Sequence, residues 1–79
     1  MSTDDEIKQK ISDLDRKITE IKRNNESEVR QKFLDEISRL LDEANTQANN
    51  KDIINAKITK ERAETAYKYY QDPNFWQTL

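Results

Sequence analysis

Apolar residues in the first half of the chain recur with helical spacing in two stripes that mirror each other. The first stripe consists of Ile7, Ile11, Leu14, Ile18 and Ile21, and the second consists of Val29, Phe33, Ile37, Leu40 and Ala44. Steps of three and four residues place each stripe on one face of an amphipathic helix. A turn between the stripes brings their residues together in layers: Ile7 with Ala44, Ile11 with Leu40, Leu14 with Ile37, and Ile18 with Phe33. The pattern therefore predicts an antiparallel helical hairpin.

Capping and turn residues predict where the helices begin and end. The chain has no Gly and one Pro, which argues against a fold rich in tight turns. The expected helices span residues 4–23, 27–48 and 53–71, with a short aromatic turn over 73–79. Asp52 is expected to cap the third helix, and Asp72 with Pro73 to end it and open the last turn. We therefore predict one all-α domain, a hairpin plus a third helix arranged as a three-helix bundle or short coiled coil.

Charged residues predict how the helices face one another. In an antiparallel hairpin of this heptad register, Lys10 would meet Glu43 and Lys17 would meet Glu36. The polar face expected on the third helix consists of Lys57, Lys60, Glu61, Glu64, Lys68 and Gln71. Its apolar residues are Ile54, Ala56, Ile58, Ala63, Ala66, Tyr67, Tyr69 and Tyr70. Because they cover most of the remaining circumference, we expect this helix to pack against both of its neighbours.

The sequence leaves one alternative connectivity open. Ile18 and Val29 are separated by an eleven-residue step, which a continuous helix tolerates with a local change of supercoil. Residues 3–48 could then form one long helix, and two copies could pair antiparallel as a homodimer with the same layers between chains. The closed hairpin is favoured because the residues around Asn25 carry both a helix stop signal and a helix start signal.

Composition argues against catalysis and against a metal or cofactor site. The chain has no His and no Cys, so the commonest metal ligand and the thiolate nucleophile are both missing. Without Gly it has no phosphate-binding glycine loop. Carboxylate pairs such as Asp13 and Asp15 fall on predicted solvent faces, where a general acid is not expected. We therefore predict a non-enzymatic protein that uses no cofactor and no metal.

Three features of the sequence predict an intracellular, cytoplasmic location. No apolar run approaches the length needed to cross a bilayer. The N-terminal residues are acidic and lack the basic start and apolar stretch of a signal peptide. The absence of Cys also fits a reducing compartment. We expect no membrane partner.

Aromatic residues near the C-terminus are the best candidates for a binding surface. Five of the six aromatic residues lie within ten positions: Tyr67, Tyr69, Tyr70, Phe75 and Trp76. Tyr and Trp are enriched at binding hot spots because they offer a large area with few rotatable bonds. The alternative is that Phe75, Trp76 and Leu79 fold back and cap the bundle. We predict a protein–protein interaction module, such as an adaptor, an assembly subunit or a small inhibitor of a larger protein.

Two other functions stay open. A nucleic-acid-associated regulator would use Lys8, Arg16, Lys22 and Arg23, which make the first helix locally basic. The net charge of −2 argues against it, since phosphate contacts dominate nucleic-acid affinity. The other possibility is a purely structural protein whose role is to self-associate.

Overall fold

The structure is a computed structural model that describes residues 3–24 and 27–77. The described residues form a bundle of α1 (Thr3–Lys22), α2 (Glu28–Asn49), α3 (Ile53–Gln71) and the short α4 (Pro73–Gln77). The all-α prediction is therefore confirmed, and the observed helix ends lie within a residue or two of the expected ones. α1 and α2 pack against each other within the chain as a hairpin, so the long continuous helix is not formed. Leu79 and Asn25 lie outside the described residues.

Local hydrogen bonds explain where α2, α3 and α4 begin and end. The Ser27 hydroxyl caps α2 by accepting a hydrogen bond from the backbone N–H of Arg30. α2 ends at Asn49, and Lys51, two residues later, has a positive φ of 66°, a conformation usually taken by Gly just after a helix. Asp72 ends α3, and its carboxylate accepts a hydrogen bond from the Asn74 backbone N–H at 2.9 Å, which opens α4 as predicted. At the predicted N-cap Asp52, the side chain instead accepts a hydrogen bond from Asn55.

The core lies where α2 is enclosed between α1 and α3. Its buried apolar residues are Ile7, Ile11, Leu14, Ile18, Leu34, Ile37, Leu41, Ala44, Ala48, Ala56, Ala63 and Tyr70. The α1 residues are those of the first predicted stripe, with Ile21 half-buried at its end. The prediction for α1 is therefore confirmed in detail.

The stripe predicted on α2 is displaced around the helix. Leu34 and Leu41, which the heptad register places at the edge of this stripe toward the third helix, are fully buried. Phe33 and Leu40, which were expected in the layers, are half-buried. Val29 is 62% exposed. The physical reason is that α2 has two neighbours, so its most buried line falls between them. Val29 lies near the end of α1 and has little of that helix to pack against. The position is shown by Gln31, two residues later, whose side chain donates a 3.2 Å hydrogen bond to the carbonyl oxygen of Lys22, the last residue of α1.

The prediction of two ion pairs between α1 and α2 is wrong. Among residues 3–24 and 27–77, no ion pair joins Lys10 to Glu43 or Lys17 to Glu36. Lys10 and Lys17 instead line a groove between α1 and α3 together with Glu64. The reason is that α3 packs beside the face of α1 that carries Lys10 and Lys17, so these lysines lie next to α3.

A different set of polar contacts joins α1 to α2. The Lys22 Nζ lies 2.9 Å from the Asp35 carboxylate and donates a hydrogen bond to the Ser38 hydroxyl at 3.1 Å. Glu36, the predicted partner of Lys17, pairs with Arg39 one turn along its own helix. The end of α1 is therefore tied to α2 by one lysine that reaches two side chains.

α3 buries a different face from the one its sequence suggests. The buried residues are Ala56, Thr59, Lys60, Ala63 and Tyr70. Lys60 was expected on the polar face but is only 6% exposed, with its Nζ 3.1 Å from the Glu64 carboxylate. Ile54 and Ile58 are exposed instead. Alanine lets two helix backbones approach closely, so α3 buries its small residues, while Ile54 and Ile58 face outward and Ile53 is half-buried against the core.

Candidate functional site

The C-terminal helix α4 folds back onto the bundle and completes a cluster of aromatic rings. Phe33, near the start of α2, is at its centre. Its ring centroid lies 5.5 Å from that of Phe75, 5.4 Å from that of Trp76 and 6.4 Å from that of Tyr70. The Phe75 ring is tilted against Phe33, the Trp76 ring meets it edge to face, and the Tyr70 ring is stacked. Aromatic pairs of this kind contribute about 0.5–1.5 kcal/mol each beyond the area they bury. The cluster joins α2, α3 and α4 at the end of the bundle where the hairpin turns.

Trp76 holds α4 in place through its polar edge and its face. The indole N–H donates a 2.6 Å hydrogen bond to the backbone carbonyl of Tyr70, which the end of α3 leaves available. The Arg30 guanidinium lies 5.0 Å from the centre of the Trp76 ring, within range of a cation–π interaction. The aromatic tail is therefore docked on the bundle. This agrees, for Phe75 and Trp76, with the alternative prediction that the tail folds back and caps the bundle.

The structure brings the five predicted binding residues together but gives them different environments. Tyr70 is buried at 9% exposure, and its ring stacks on that of half-buried Tyr67 with centroids 6.2 Å apart. Phe75 and Trp76 are half-buried. Tyr69 is 53% exposed, with its ring 5.5 Å from Phe75. Tyr69 and Phe75 are thus the members of the set best placed to meet a partner, and a binding role for the five residues stays a prediction.

An apolar groove runs beside these two residues along the outer side of α3. It has a volume of about 460 Å³. Its apolar and small lining residues are Phe33, Ile58, Thr65, Ala66, Tyr69 and Phe75. Glu61 and Arg62 also line it, so opposite charges lie side by side halfway along an otherwise apolar surface.

Sequence reasoning missed Ile54 and Ile58 as surface residues. Ile54 is 77% exposed and Ile58 is 44% exposed, one helical turn apart on the same side of α3. Both were assigned to a wide apolar face against the bundle. A signal for the observed arrangement is present in the sequence, since the alanines at 56 and 63 lie on the opposite side of the helix from Ile54 and Ile58.

The basic residues proposed for nucleic acid do not form a separate patch. Lys22 is engaged with Asp35, as described above. Arg16 and Arg23 line a shallow surface pocket that also contains Asp15 and Glu20. Acidic side chains are therefore interspersed with the basic ones on this side of α1.

Residues 3–24 and 27–77 contain neither a candidate metal site nor a candidate membrane-spanning helix. No group of three or more Asp, Glu, His or Cys side chains there is arranged to hold a metal ion. Nor does any helix in those ranges combine the length and apolar character needed to cross a membrane. Comparison of the chain with protein-family models, with curated proteins and with solved structures gives no match.

Proposed function

We propose that the protein is a non-enzymatic interaction module that binds a protein partner through the outer side of α3 and the adjoining α4. The observation that carries the proposal is the grouping of Ile54, Ile58 and Tyr69 as large exposed apolar side chains on one helix. Contiguous exposed apolar surface on a small protein marks an interaction site more often than scattered single residues do.

The grouping matters because large apolar residues are scarce in this chain. The chain is 38% charged and 33% hydrophobic, so it has few large apolar residues with which to build a core. Even so, three of them face solvent on α3 rather than joining that core. Val29, also strongly exposed, lies in the first turn of α2 and is not among the residues that line the groove. It therefore provides a natural internal comparison.

The docked tail contributes to the same surface. Because Trp76 fixes α4 against the bundle, Phe75 is held next to Tyr69 and closes one side of the groove. Preorganised aromatic side chains bind a partner at a low entropic cost, since little freedom remains to be lost. The predicted aromatic set thus acts in two ways: Tyr67, Tyr70 and Trp76 support the surface, and Tyr69 and Phe75 present it.

Site-specific photo-cross-linking in the cells that make the protein tests this proposal. A photoreactive phenylalanine analogue replaces Tyr69 in one variant and Val29 in the control. Both positions are more than half exposed, so neither replacement disturbs the core. We expect discrete cross-linked protein bands from position 69 and none from position 29. Equal cross-linking from both positions, or none from position 69, would contradict the proposal.

A further inference from the structure

α3 carries two stripes on opposite sides, and the outer one has a symmetric spacing. The outer stripe consists of Ile54, Ile58, Glu61, Arg62, Thr65 and Tyr69. All six side chains are exposed. The steps between them are four, three, one, three and four residues, so the spacing is the same in both chain directions. A helix face with this property can pack on an identical, antiparallel copy of itself with every position matched.

The matched positions are chemically complementary as well as evenly spaced. Around a two-fold axis between residues 61 and 62, Ile54 of one copy lies over Tyr69 of the other, and Ile58 lies over Thr65. Each Glu61 then faces the Arg62 of the other copy. This is the self-complementary arrangement that a two-fold interface requires, in which one contact occurs twice.

The charges support a second copy as the occupant. Within the described part of the chain, neither Glu61 nor Arg62 forms an ion pair, although both line the apolar groove. Across the two-fold axis they would form two pairs of opposite charge at the centre of the interface. Charge complementarity of this kind sets orientation and register and excludes mismatched partners.

The position of the axis on the helix also supports a second copy. α3 spans Ile53–Gln71, so an axis between residues 61 and 62 lies close to its midpoint. Two antiparallel copies of α3 would therefore overlap along nearly their whole length. The apolar groove beside Tyr69 and Phe75 then lies opposite the first turn of the second α3, where Ile54 is located.

We infer that two copies of this chain form a two-fold symmetric dimer through antiparallel packing of their α3 outer stripes, with Glu61 of each copy paired with Arg62 of the other. This inference rests on the proposed function, since it names the partner of the same surface. This interface does not involve the hairpin, because α1 and α2 already pack against each other within one chain.

Sedimentation equilibrium of the purified 79-residue chain, over micromolar to millimolar concentrations, tests the dimer. We expect the wild type to show a monomer–dimer equilibrium. Glu61→Arg places two positive charges from each copy at the axis, and Arg62→Glu places two negative charges there. Each variant alone is expected to dimerise about tenfold more weakly or worse, because like charges then face each other.

Mixing the two variants provides the decisive measurement. An equimolar mixture of Glu61→Arg and Arg62→Glu chains is expected to form a heterodimer of wild-type affinity, because every facing pair is again of opposite charge. The double variant Glu61→Arg/Arg62→Glu is expected to recover the homodimer. Matched controls are Glu43→Arg on α2 and Arg16→Glu on α1, which make the same charge changes at exposed positions outside the stripe. They are expected to leave dimerisation unchanged.

Apolar substitutions provide an independent test. Ile54→Glu removes an apolar contact at each end of the interface and is expected to abolish the dimer, whereas Val29→Glu makes the same change on α2 and is expected to leave it intact. Far-UV circular dichroism of each variant checks that the helices still form, which is expected because both isoleucine and valine are exposed.

Failure of the dimer is distinguishable from failure of the proposed function. A wild type that stays monomeric at every concentration, or single charge variants that dimerise as the wild type does, overturns the dimer. If position 69 nevertheless cross-links to a different protein in cells, the proposed function stands without it. If position 69 cross-links to nothing, both are overturned.

Discussion

The two interfaces of α2 are built from different side chains. Against α1, the core consists of large branched residues, as shown by Ile11 of α1 and Leu41 of α2, which border the same surface pocket. α3, by contrast, has the buried alanines Ala56 and Ala63, and α1 contains no alanine. The backbones of α2 and α3 also approach each other more closely than those of α1 and α2 do. Small buried side chains therefore accompany the closer of the two helix approaches.

The polar residues of the two interfaces differ in the same way. Between α1 and α2, Lys22 reaches from the margin to Asp35, which is 59% exposed. Between α2 and α3, the polar contact is less exposed: the Thr59 hydroxyl of α3 donates a 2.8 Å hydrogen bond to the Gln47 side chain of α2. Lys60 is also buried, but its partner Glu64 lines the groove between α3 and α1. The long stem of a lysine can be buried while its ammonium group reaches a partner at the edge.

The largest effect is expected from a truncation in the branched core. Leu41→Ala should lower the free energy of unfolding by about 2–5 kcal/mol, because it removes a side chain that is 1% exposed and leaves a cavity. Leu40→Ala, at the half-buried neighbour, should cost less. Urea denaturation followed by circular dichroism measures both. A greater loss from Leu40→Ala would mean that α2 is rotated back to the register its sequence suggests.

An enlargement in the alanine interface is expected to rank next. Ala63→Leu should destabilise the protein by about 1–3 kcal/mol, because a fully buried methyl leaves no space for three more carbons. Lys57→Leu introduces the same side chain at an exposed position of α3 and should have little effect. Thermal denaturation of the two variants makes the comparison. A stabilising Ala63→Leu would show that α2 and α3 are not closely packed.

A buried hydrogen bond is expected to contribute a smaller amount. Thr59→Val keeps the shape of the side chain but removes the hydroxyl that bonds Gln47, and should cost about 0.5–1.5 kcal/mol. Thr46→Val, at an exposed position of α2, is the control. Urea titration gives both free energies of unfolding. Equal values for the two variants would indicate that the Thr59–Gln47 bond makes no net contribution.

The smallest effect is expected from the ion pair at the margin of α1 and α2. A double-mutant cycle of Lys22→Ala and Asp35→Ala should give a coupling energy of about 0.2–1 kcal/mol, because both side chains are partly exposed to water. The coupling should weaken as salt is added, through screening. A larger, salt-independent coupling would place this pair among the buried contacts.

Helix positions could be predicted closely because helix formation depends on near neighbours. The Asp72-Pro73 boundary is an example: it involves a capping carboxylate and a proline at the first helical position, both read within a few residues. The α1 stripe was also predicted, since α1 buries a single narrow face. The α3 face was not, because hydrophobicity ranks Ile54 above Ala56, whereas close packing against α2 selects the alanine.

The aromatic part of the candidate site near the C-terminus could be predicted from the sequence, whereas its other members could not. The clustering of Tyr67, Tyr69, Tyr70, Phe75 and Trp76 in the sequence indicated one aromatic region, and the structure brings all five together. The central ring, Phe33, comes from α2 and had been assigned to the hairpin layers. Ile54 and Ile58 joined the surface only once the opposite side of α3 was buried. Contacts between residues far apart in sequence leave no local signal.

By itself, the sequence determined an all-helical chain, the breaks between its helices and the pairing of α1 with α2, because intrahelical hydrogen bonds, caps and apolar periodicity act over a few residues. The tertiary structure alone decided which sides of α2 and α3 are buried and which apolar residues remain in solvent. Burial depends on the shape that a neighbouring helix presents, and the buried alanines of α3 allow a close approach to α2 that isoleucines at those positions would prevent.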